Sequence, residues 1–448
     1  MLDINFIRDN KEEVKKNIRR RGEKYNPKLV DELLDFDKEW RELKGKIDNL
    51  RHERNEITLQ ITKLSKEKKD ISKFIDKARG LPQEIKNNEE RLDELKKKIN
   101  YSLMTLPNIL HESVPYGESD QDNKIVGIFG SKKKLKFKPL SHVDLVEKND
   151  WVDLERAAKI SGARWYFLKG ELALLEQALV RYGMDFMAKR KYILVVPPFM
   201  MNRRAYEGVT DLGAFGEMLY KIEGEDLYQI ATSEHPITAM YMNEVLDAKK
   251  LPMKLFGYST NFRKEAGAHG KDMKGIFRVH QFNKVEQLIF SRPDQSWKLH
   301  EELIKNAIDF FKSLNLHFRQ VNVCTGDIGI VAAKKYDLDV WYPVQEAYRE
   351  VVSCSNCTSY QAVRLGIKYN AEDHNEYIHT LNSTLVATSR ALVAILENYQ
   401  QKDGSVVVPK VLRKYMNGIK VIGKKEVKPK KKQVKNEKKK PKIGGKNE

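Results

Sequence analysis

Two apolar seams of nearly equal length, one directly after the other in the first hundred residues, restrict the fold of this chain more than any other feature. Leu33, Phe36, Trp40, Leu43, Ile47, Leu50, Arg54, Ile57, Ile61 and Leu64 follow at alternating steps of three and four, interrupted only by Arg54. Ile71, Phe74, Ala78, Leu81, Ile85, Asn88, Leu92, Leu95 and Ile99 repeat the pattern. Such spacing keeps side chains on one stripe of a helix, and the stripe must be covered by a partner. With Ser65 to Asp70 as the turn, an antiparallel hairpin of two helices results, each about 50 Å long at about 1.5 Å per residue. Pro82 is expected to kink the second helix or to mark an alternative turn at Gly80.

An arm of this kind can bury only its own seam, so its outer faces are free. They are rich in Lys and Arg, among them Lys44, Lys46, Arg51, Arg54, Lys63, Lys66, Lys73, Lys77 and Arg79. Those side chains make either an ordinary solvated surface balanced by Glu and Asp, or a grip on a polyanion. The whole chain carries a formal charge of +19, which suggests a polyanionic partner. Lys420 to Glu448 holds 13 lysines against 3 glutamates, or +10, so a basic remainder of +9 stays with the folded part.

Before the arm, Ile4, Ile7, Val14 and Ile18 mark a short helical pattern that ends at Pro27. After it, turn-forming residues between Pro107 and about Asp122 read as a linker, and from Pro139 onward the apolar segments become short and mixed, as in an α+β domain. The expected division is 1–120, with the hairpin at about 31–104, then 121–420, then a tail 421–448 too polar to fold. No apolar run approaches the ~18 residues of a membrane span and the start MLDINFIRDN has no signal-peptide core, which makes a cytoplasmic protein the expectation. Three cysteines are too few and too odd in number for a disulfide framework. Cys354 and Cys357 form a lone C-x-x-C without the two further ligands zinc needs, so they read as small buried residues.

The chemistry is concentrated in FRKEAGAHGKDMKGIFRVHQFNKVE, Phe262 to Glu286. It reads as a strand ending near Phe262, a loop from Ala266 to Gly275, and a returning strand from Ile276 to about Phe290. Alternation sends Phe277, Val279, Val285 and Ile289 to a core and places Arg278, His280, Phe282, Lys284 and Glu286 on the other face. Arg263 and Glu265 add a charged pair at the end of the incoming strand. A guanidinium fork suits phosphate or carboxylate, a ring suits a purine, and glycines let backbone approach a ligand. A solvated hairpin would give the same pattern. Thr232 and Glu234, in QIATSEHPI, are either a helix cap or groups for an ammonium ligand, with a strand ending before Pro236. Glu350 and Ser353 are oxygen ligands three residues apart, which suits Mg²⁺ bound mainly through phosphates.

Taken together these segments resemble the seryl-tRNA synthetases, a branch of the class II aminoacyl-tRNA synthetases. The order F-R-x-E, variable loop, R-V-H-Q-F-x-K-x-E is similar to their motif 2. A helix from Leu172 to Ala188, then the strand Tyr192 to Val196 and Pro197-Pro198, resembles motif 1, the dimer interface. HTLNSTLVATSRALVAILENYQ resembles motif 3 in its seryl form, with Ser383 and Ala387 where the general class has glycine; its helix is expected from about Leu385 to Asn398, with Leu385, Leu392, Ile395 and Leu396 inward. The resemblance covers residues 1 to 420. The basic extension beyond it and the wording of motif 3 lean toward the eukaryotic cytosolic type.

The resemblance implies an α+β fold, a class II antiparallel sheet flanked by helices and preceded by an N-terminal antiparallel α-helical coiled-coil arm that grips tRNA. It implies ATP-dependent activation of L-serine to seryl-adenylate and transfer to tRNA(Ser), with tRNA(Sec) a second candidate, by a homodimer using Mg²⁺. Thr232, Glu234, Arg263, Glu286, Asn382 and Thr384 would bind serine. Arg263, Lys264, Glu265, Arg278, Val279, Phe282, Glu350, Val351, Val352, Ser353 and Arg390 would bind ATP, with the metal at Glu350 and Ser353. Arg263, Arg278 and Arg390 would be catalytic, and Phe282 with Arg390 would hold the adenine. His235 stands where the family usually has glutamine, a change not expected to alter the amino acid selected. Two other classes remain. A ligase of this type loading a carrier protein would leave the basic arm idle, and a non-catalytic RNA-binding scaffold should have lost some of Arg263, Glu286, Glu350 and Arg390, all of which are present.

Overall fold

The computed structural model describes residues 1–265 and 274–423. The expected glycine loop after Ala266 lies mostly outside them, as does almost all of the lysine tail. Asp3 accepts the backbone N–H of Asn5 at 2.7 Å and opens helix α1 (Ile4–Asp9), followed by α2 (Lys11–Arg20). Ile7, Val14 and Ile18 of this pair are buried, as their spacing requires.

The arm is α3 (Lys28–Lys66) packed against α4 (Ser72–Thr105). Their 39 and 34 residues give lengths of about 58 and 51 Å at about 1.5 Å per residue. Every seam residue except Arg54 is buried or half-buried, and the basic side chains of the outer faces are exposed. No turn forms at Gly80, because α4 runs on through Pro82. Pro82 is exposed there, so water can satisfy the carbonyl that it leaves without a donor.

The segment after the arm does not hang free as a linker. Asn108 donates its backbone N–H to Ile330 O at 2.9 Å and its side-chain amide to Val331 O and Cys357 O at 2.9 and 2.8 Å. Orphaned amides in so buried a position would be costly, and these bonds hold the segment on the body of the protein.

That body is built on an eight-stranded sheet. In chain order its strands are β1 (Lys124–Phe129), β2 (Ile193–Val195), β3 (Met253–Phe262), β4 (Gln281–Ser291), β5 (Phe318–Asn322), β6 (Lys334–Tyr342), β7 (Ala347–Asn356) and β8 (His379–Ala387). Across the sheet they run β1-β5-β6-β7-β8-β4-β3-β2, antiparallel throughout except for the edge pair β2 and β3. Helices α5 (Gly170–Lys189), α7 (Ser296–Ser313) and α8 (Thr388–Tyr399) bury Leu175, Leu303, Phe311 and Ile395 against one face. On the other face, Leu255, Leu288 and Phe290 are covered by a smaller cluster that includes Tyr206 and, from helix α6 (Glu234–Ala239), Ile237.

Two boundaries differ from the sequence reading. The return strand begins at Gln281 rather than Ile276, because the His280 N–H donates to Arg164 O instead of joining the ladder. Leu385 lies on β8, not on the motif 3 helix, because pairing with β4 continues as far as Ala387↔Lys284. A strand does end before Pro236, at Gln229, and Pro236 itself lies in the first turn of α6, where a missing N–H is tolerated.

Candidate active site

A cleft of about 940 Å³ opens on the uncovered part of the second sheet face. From β4, alternation points Phe282, Lys284 and Glu286 into it. Lys284 Nζ lies 2.6 Å from Glu286 Oε2, with both side chains buried. Thr384, directly opposite Glu286 in the register, donates its hydroxyl to the same oxygen at 3.1 Å. Asn382, two residues earlier on β8, lines the same wall.

Arg263 enters from the end of β3. Its guanidinium centre lies 5.2 Å from the centroid of the Phe282 ring, and its Nε donates to Ala231 O at 3.3 Å. Burial lowers the Arg263 pKa, with the Glu265 charge working the other way. Arg278 sits 3.6 Å from Glu265. Arg390, in the first turn of α8, donates to Glu350 O at 2.8 Å and lies 3.4 Å from Glu350 Oε1. Burial alone would raise the Glu350 pKa, but Arg390, Lys335, Arg263 and Lys284 together bring it below its ordinary value.

Glu350 and Ser353 pose a geometric problem, because residues three apart on a regular strand point to opposite faces. The β6–β7 register resolves it. Leu338 pairs with Val352 and Asp339 with Glu350, so Val351 is an extra residue on β7. This β-bulge restores Glu350, Ser353 and Ser355 to one face, in the cleft. Two hard oxygen ligands side by side fit Mg²⁺ that takes its other ligands from phosphates and water. Among the described residues no group of three His, Cys, Asp or Glu could hold a metal unaided.

Thr232 and Glu234 lie together where α6 begins. Thr232 Oγ1 accepts the Glu234 N–H at 3.1 Å at the start of α6, and both residues line the cleft. Burial, with the Glu286 charge adding to it, pushes the Glu234 carboxyl up to about 7. His235 is buried beside it and held neutral, its pKa brought down to about 3 by burial.

The structure thus brings together every expected site residue except two. Lys264 alternates away from Arg263 and Glu265, donates its N–H to Met218 O, and places Nζ 5.6 Å from the Tyr220 ring centroid. Val352 is turned into the sheet core by the bulge. Two contacts also differ. Arg263 is the guanidinium over Phe282, while that of Arg390 lies 5.5 Å from the centroid of Phe277, a ring buried in the core as expected that also lines the cleft. His280, expected on the active face, instead bonds Tyr220 Oη and Arg263 O, each at 2.8 Å. Gly275 has φ +75°, and a Cβ there would lie 2.4 Å from His142 Nε2, so this end of the loop requires glycine.

Cys354 and Cys357 are buried thiols whose pKa values are raised by burial. Cys357 lines the cleft and accepts the Asn382 amide at 3.7 Å. Sequence reasoning missed Lys284 as a site residue, although its place between Phe282 and Glu286 was the signal. It also missed Lys335 and the wall formed by Lys24, Tyr25 and Ile328 to Ala332, for which no local pattern exists.

Cations, rings and carboxylates share one cleft, and the arrangement can hold a ligand with an ammonium at one end and phosphates at the other. Comparison with known proteins agrees with this. Residues 1–110 match the family model described as seryl-tRNA synthetase N-terminal domain, and residues 219–399 match the tRNA synthetase class II core domain (G, H, P, S and T). A serine–tRNA ligase of Methanocella arvoryzae is 51% identical over 425 residues, 94% of this chain and 100% of the relative. The crystal structure of seryl-tRNA synthetase from Pyrococcus horikoshii complexed with ATP superposes with a TM-score of 0.87 at 47% identity, covering 94% of this chain and 99% of that one. The cytoplasmic serine–tRNA ligase of Naegleria fowleri, solved with AMP, gives 0.83 at 37% identity, covering 94% and 98%.

Proposed function

The chain belongs to the seryl-tRNA synthetase family of class II aminoacyl-tRNA synthetases, and from that premise we propose how its cleft carries out the reaction. The activity is that of a serine–tRNA ligase, which joins serine to tRNA at the expense of ATP. The observation that carries the residue-level reading is the convergence of Arg263, Phe282, Glu286 and Arg390 on one cleft with Glu234 at its serine end.

In the first step a carboxylate oxygen of serine attacks the α-phosphorus of ATP and the bond to the β-phosphate oxygen breaks, giving seryl-adenylate and pyrophosphate. The nucleophile is already ionised, so the step needs alignment and charge neutralisation more than a base. Arg263 bridges the attacking carboxylate and the α-phosphate, while Arg278 and Arg390 neutralise the leaving pyrophosphate. Glu350 and Ser353 would hold Mg²⁺, which would add positive charge at the phosphates. In the second step a terminal ribose hydroxyl of tRNA attacks the seryl carbonyl and AMP leaves.

Glu234 receives the serine ammonium and Glu286 the serine hydroxyl. Thr384 and Lys284 already occupy one Glu286 oxygen, which leaves the other for substrate. Alanine would leave that acceptor unpaired and is rejected on that ground. ATP–pyrophosphate exchange measured with each of the twenty amino acids tests the reading. Serine alone should drive exchange, and a different preferred amino acid would overturn it.

The raised Glu234 pKa gives a further expectation. The serine ammonium needs the carboxylate, so below about pH 7 binding must first release a proton from Glu234. Lys284 and Arg263 face this carboxyl and favour its charge, while Glu286 opposes it. The KM for serine should be flat above about pH 7.5 and rise toward tenfold per unit below about pH 7. Glu234→Gln should raise the KM and flatten this dependence; a slope that survives the substitution assigns the titration to another group.

Four further features are read the same way. Ile193, Leu194 and Val196 on and beside edge strand β2 are 65%, 44% and 61% exposed, which supports a second copy of the chain covering this edge next to α5. The RNA is tRNA(Ser), with tRNA(Sec) a second candidate, and the division 1–120, 121–420 and 421–448 is read as RNA-binding part, class II core and lysine tail. A cytoplasmic location suits the substrates, and no described helix is long and apolar enough to cross a membrane. The eukaryotic cytosolic subtype is not supported, since an archaeal relative is 51% identical and the Naegleria protein 37%.

A further inference from the structure

Arg21 is 1% exposed and has no salt bridge among the described residues. A buried guanidinium without a carboxylate is held at a cost, and burial brings its pKa down to about 10. Its four hydrogen bonds all go to backbone carbonyls. Nε and Nη2 donate to Asn108 O at 3.1 and 2.7 Å, Nη1 to Gly329 O at 3.1 Å, and Nη2 also to Ala332 O at 2.9 Å. Gly329 and Ala332 belong to the segment 326–333 that leads into β6, and its stretch Asp327 to Ala332 is a wall of the cleft. Four more carbonyls of that segment look the same way. Gly326 O accepts from Lys24 Nζ at 3.0 Å, Ile330 O and Val331 O from Asn108, and Ala333 O from the His111 N–H at 3.0 Å. Six of the eight backbone carbonyls of the segment therefore accept from donors within the N-terminal 111 residues.

Its place next to the serine end follows from the register. Ala333 N–H donates to Asn356 O at 2.8 Å, and Asn356 precedes Cys357, which touches Asn382. We propose that Arg21 is a positioning residue for serine activation: by clamping the Gly329 and Ala332 carbonyls it sets the wall of the serine subsite. The stretch from Arg21 to Leu29 is then part of the activation site and not only the base of an RNA-binding arm.

Since this rests on the serine-activation reading, exchange by the unaltered chain is the control, and its absence would fail that reading rather than this one. In the full-length chain, Arg21→Met should raise the KM for serine at least about fivefold, with the KM for ATP and the kcat per titrated active site within about threefold. Arg21→Lys, which offers a point charge in place of the fork, should recover only part of the loss. An unchanged serine KM in folded Arg21→Met overturns the proposal, and so does a parallel rise in both KM values with a fall in Tm, which would mark general loosening. If Arg21→Met does not fold, Lys24→Ala removes the donor to Gly326 and carries the same test. A serine KM raised about twofold supports the clamp, and no change overturns it.

Discussion

Arg263→Ala should lower serine-dependent ATP–pyrophosphate exchange by about 10²–10³-fold, equivalent to about 3–4 kcal/mol of transition-state stabilisation, as for loss of a preorganised oxyanion donor. The guanidinium is buried, fixed by Ala231 O and the Phe282 ring, and surrounded by Glu265, Glu286 and Glu350. It costs no reorganisation when charge develops on the α-phosphate, and its removal leaves those carboxylates less compensated. Arg263→Lys should rescue little, because a single ammonium cannot bridge a carboxylate and a phosphate as a planar fork can. A loss below about tenfold for the alanine variant would mean that Arg263 does not bridge the two reacting groups.

Shortening the arm should separate the two half-reactions. If residues 44–88 are replaced by a short glycine linker, the pairs Arg8–Asp37 and Arg91–Glu39 are kept, as is the cluster of Ile7, Val30, Leu33 and Leu103 that seats the arm. Charging of tRNA should fall to background while serine-dependent exchange stays within about twofold, since the removed residues make only contacts remote from the reacting atoms. Lys63, Lys66, Lys73, Lys77 and Arg79, near the tip, are exposed and form no ion pair among the described residues, unlike Lys46 and Arg51, which pair with Glu84 and Glu89. Unpaired cations at the end of a long lever suit an RNA backbone, so tRNA binding to the intact chain should weaken steeply with salt. Equal loss of charging and exchange would instead make the arm a folding element.

Much of this site was legible because strands and helices have fixed periods. Phe282, Lys284 and Glu286 had to share a face once the strand was placed, and the seams of α3 and α4 had to meet. The errors arose where a period was broken by something distant. The bulge at Val351 is invisible in AYREVVSCSN, yet it sends Val352 to the core and gives Glu350 and Ser353 a common face. His280 and Lys264 leave the active face because Arg164, Tyr220 and Met218, far away in sequence, supply their partners.

By itself the sequence determined the helical arm, the chemical groups of the cleft and their order along the chain, since each depends on neighbours within a few turns or one strand. The tertiary structure alone decided that the segment between Pro107 and Asp122 is fastened to the body instead of free, and that Arg21 and Lys24 hold a wall of the cleft. Those arrangements depend on backbone carbonyls near residue 330 meeting donors more than 200 positions earlier. Every residue offers the same carbonyl, so no side-chain pattern could announce which of them would be met.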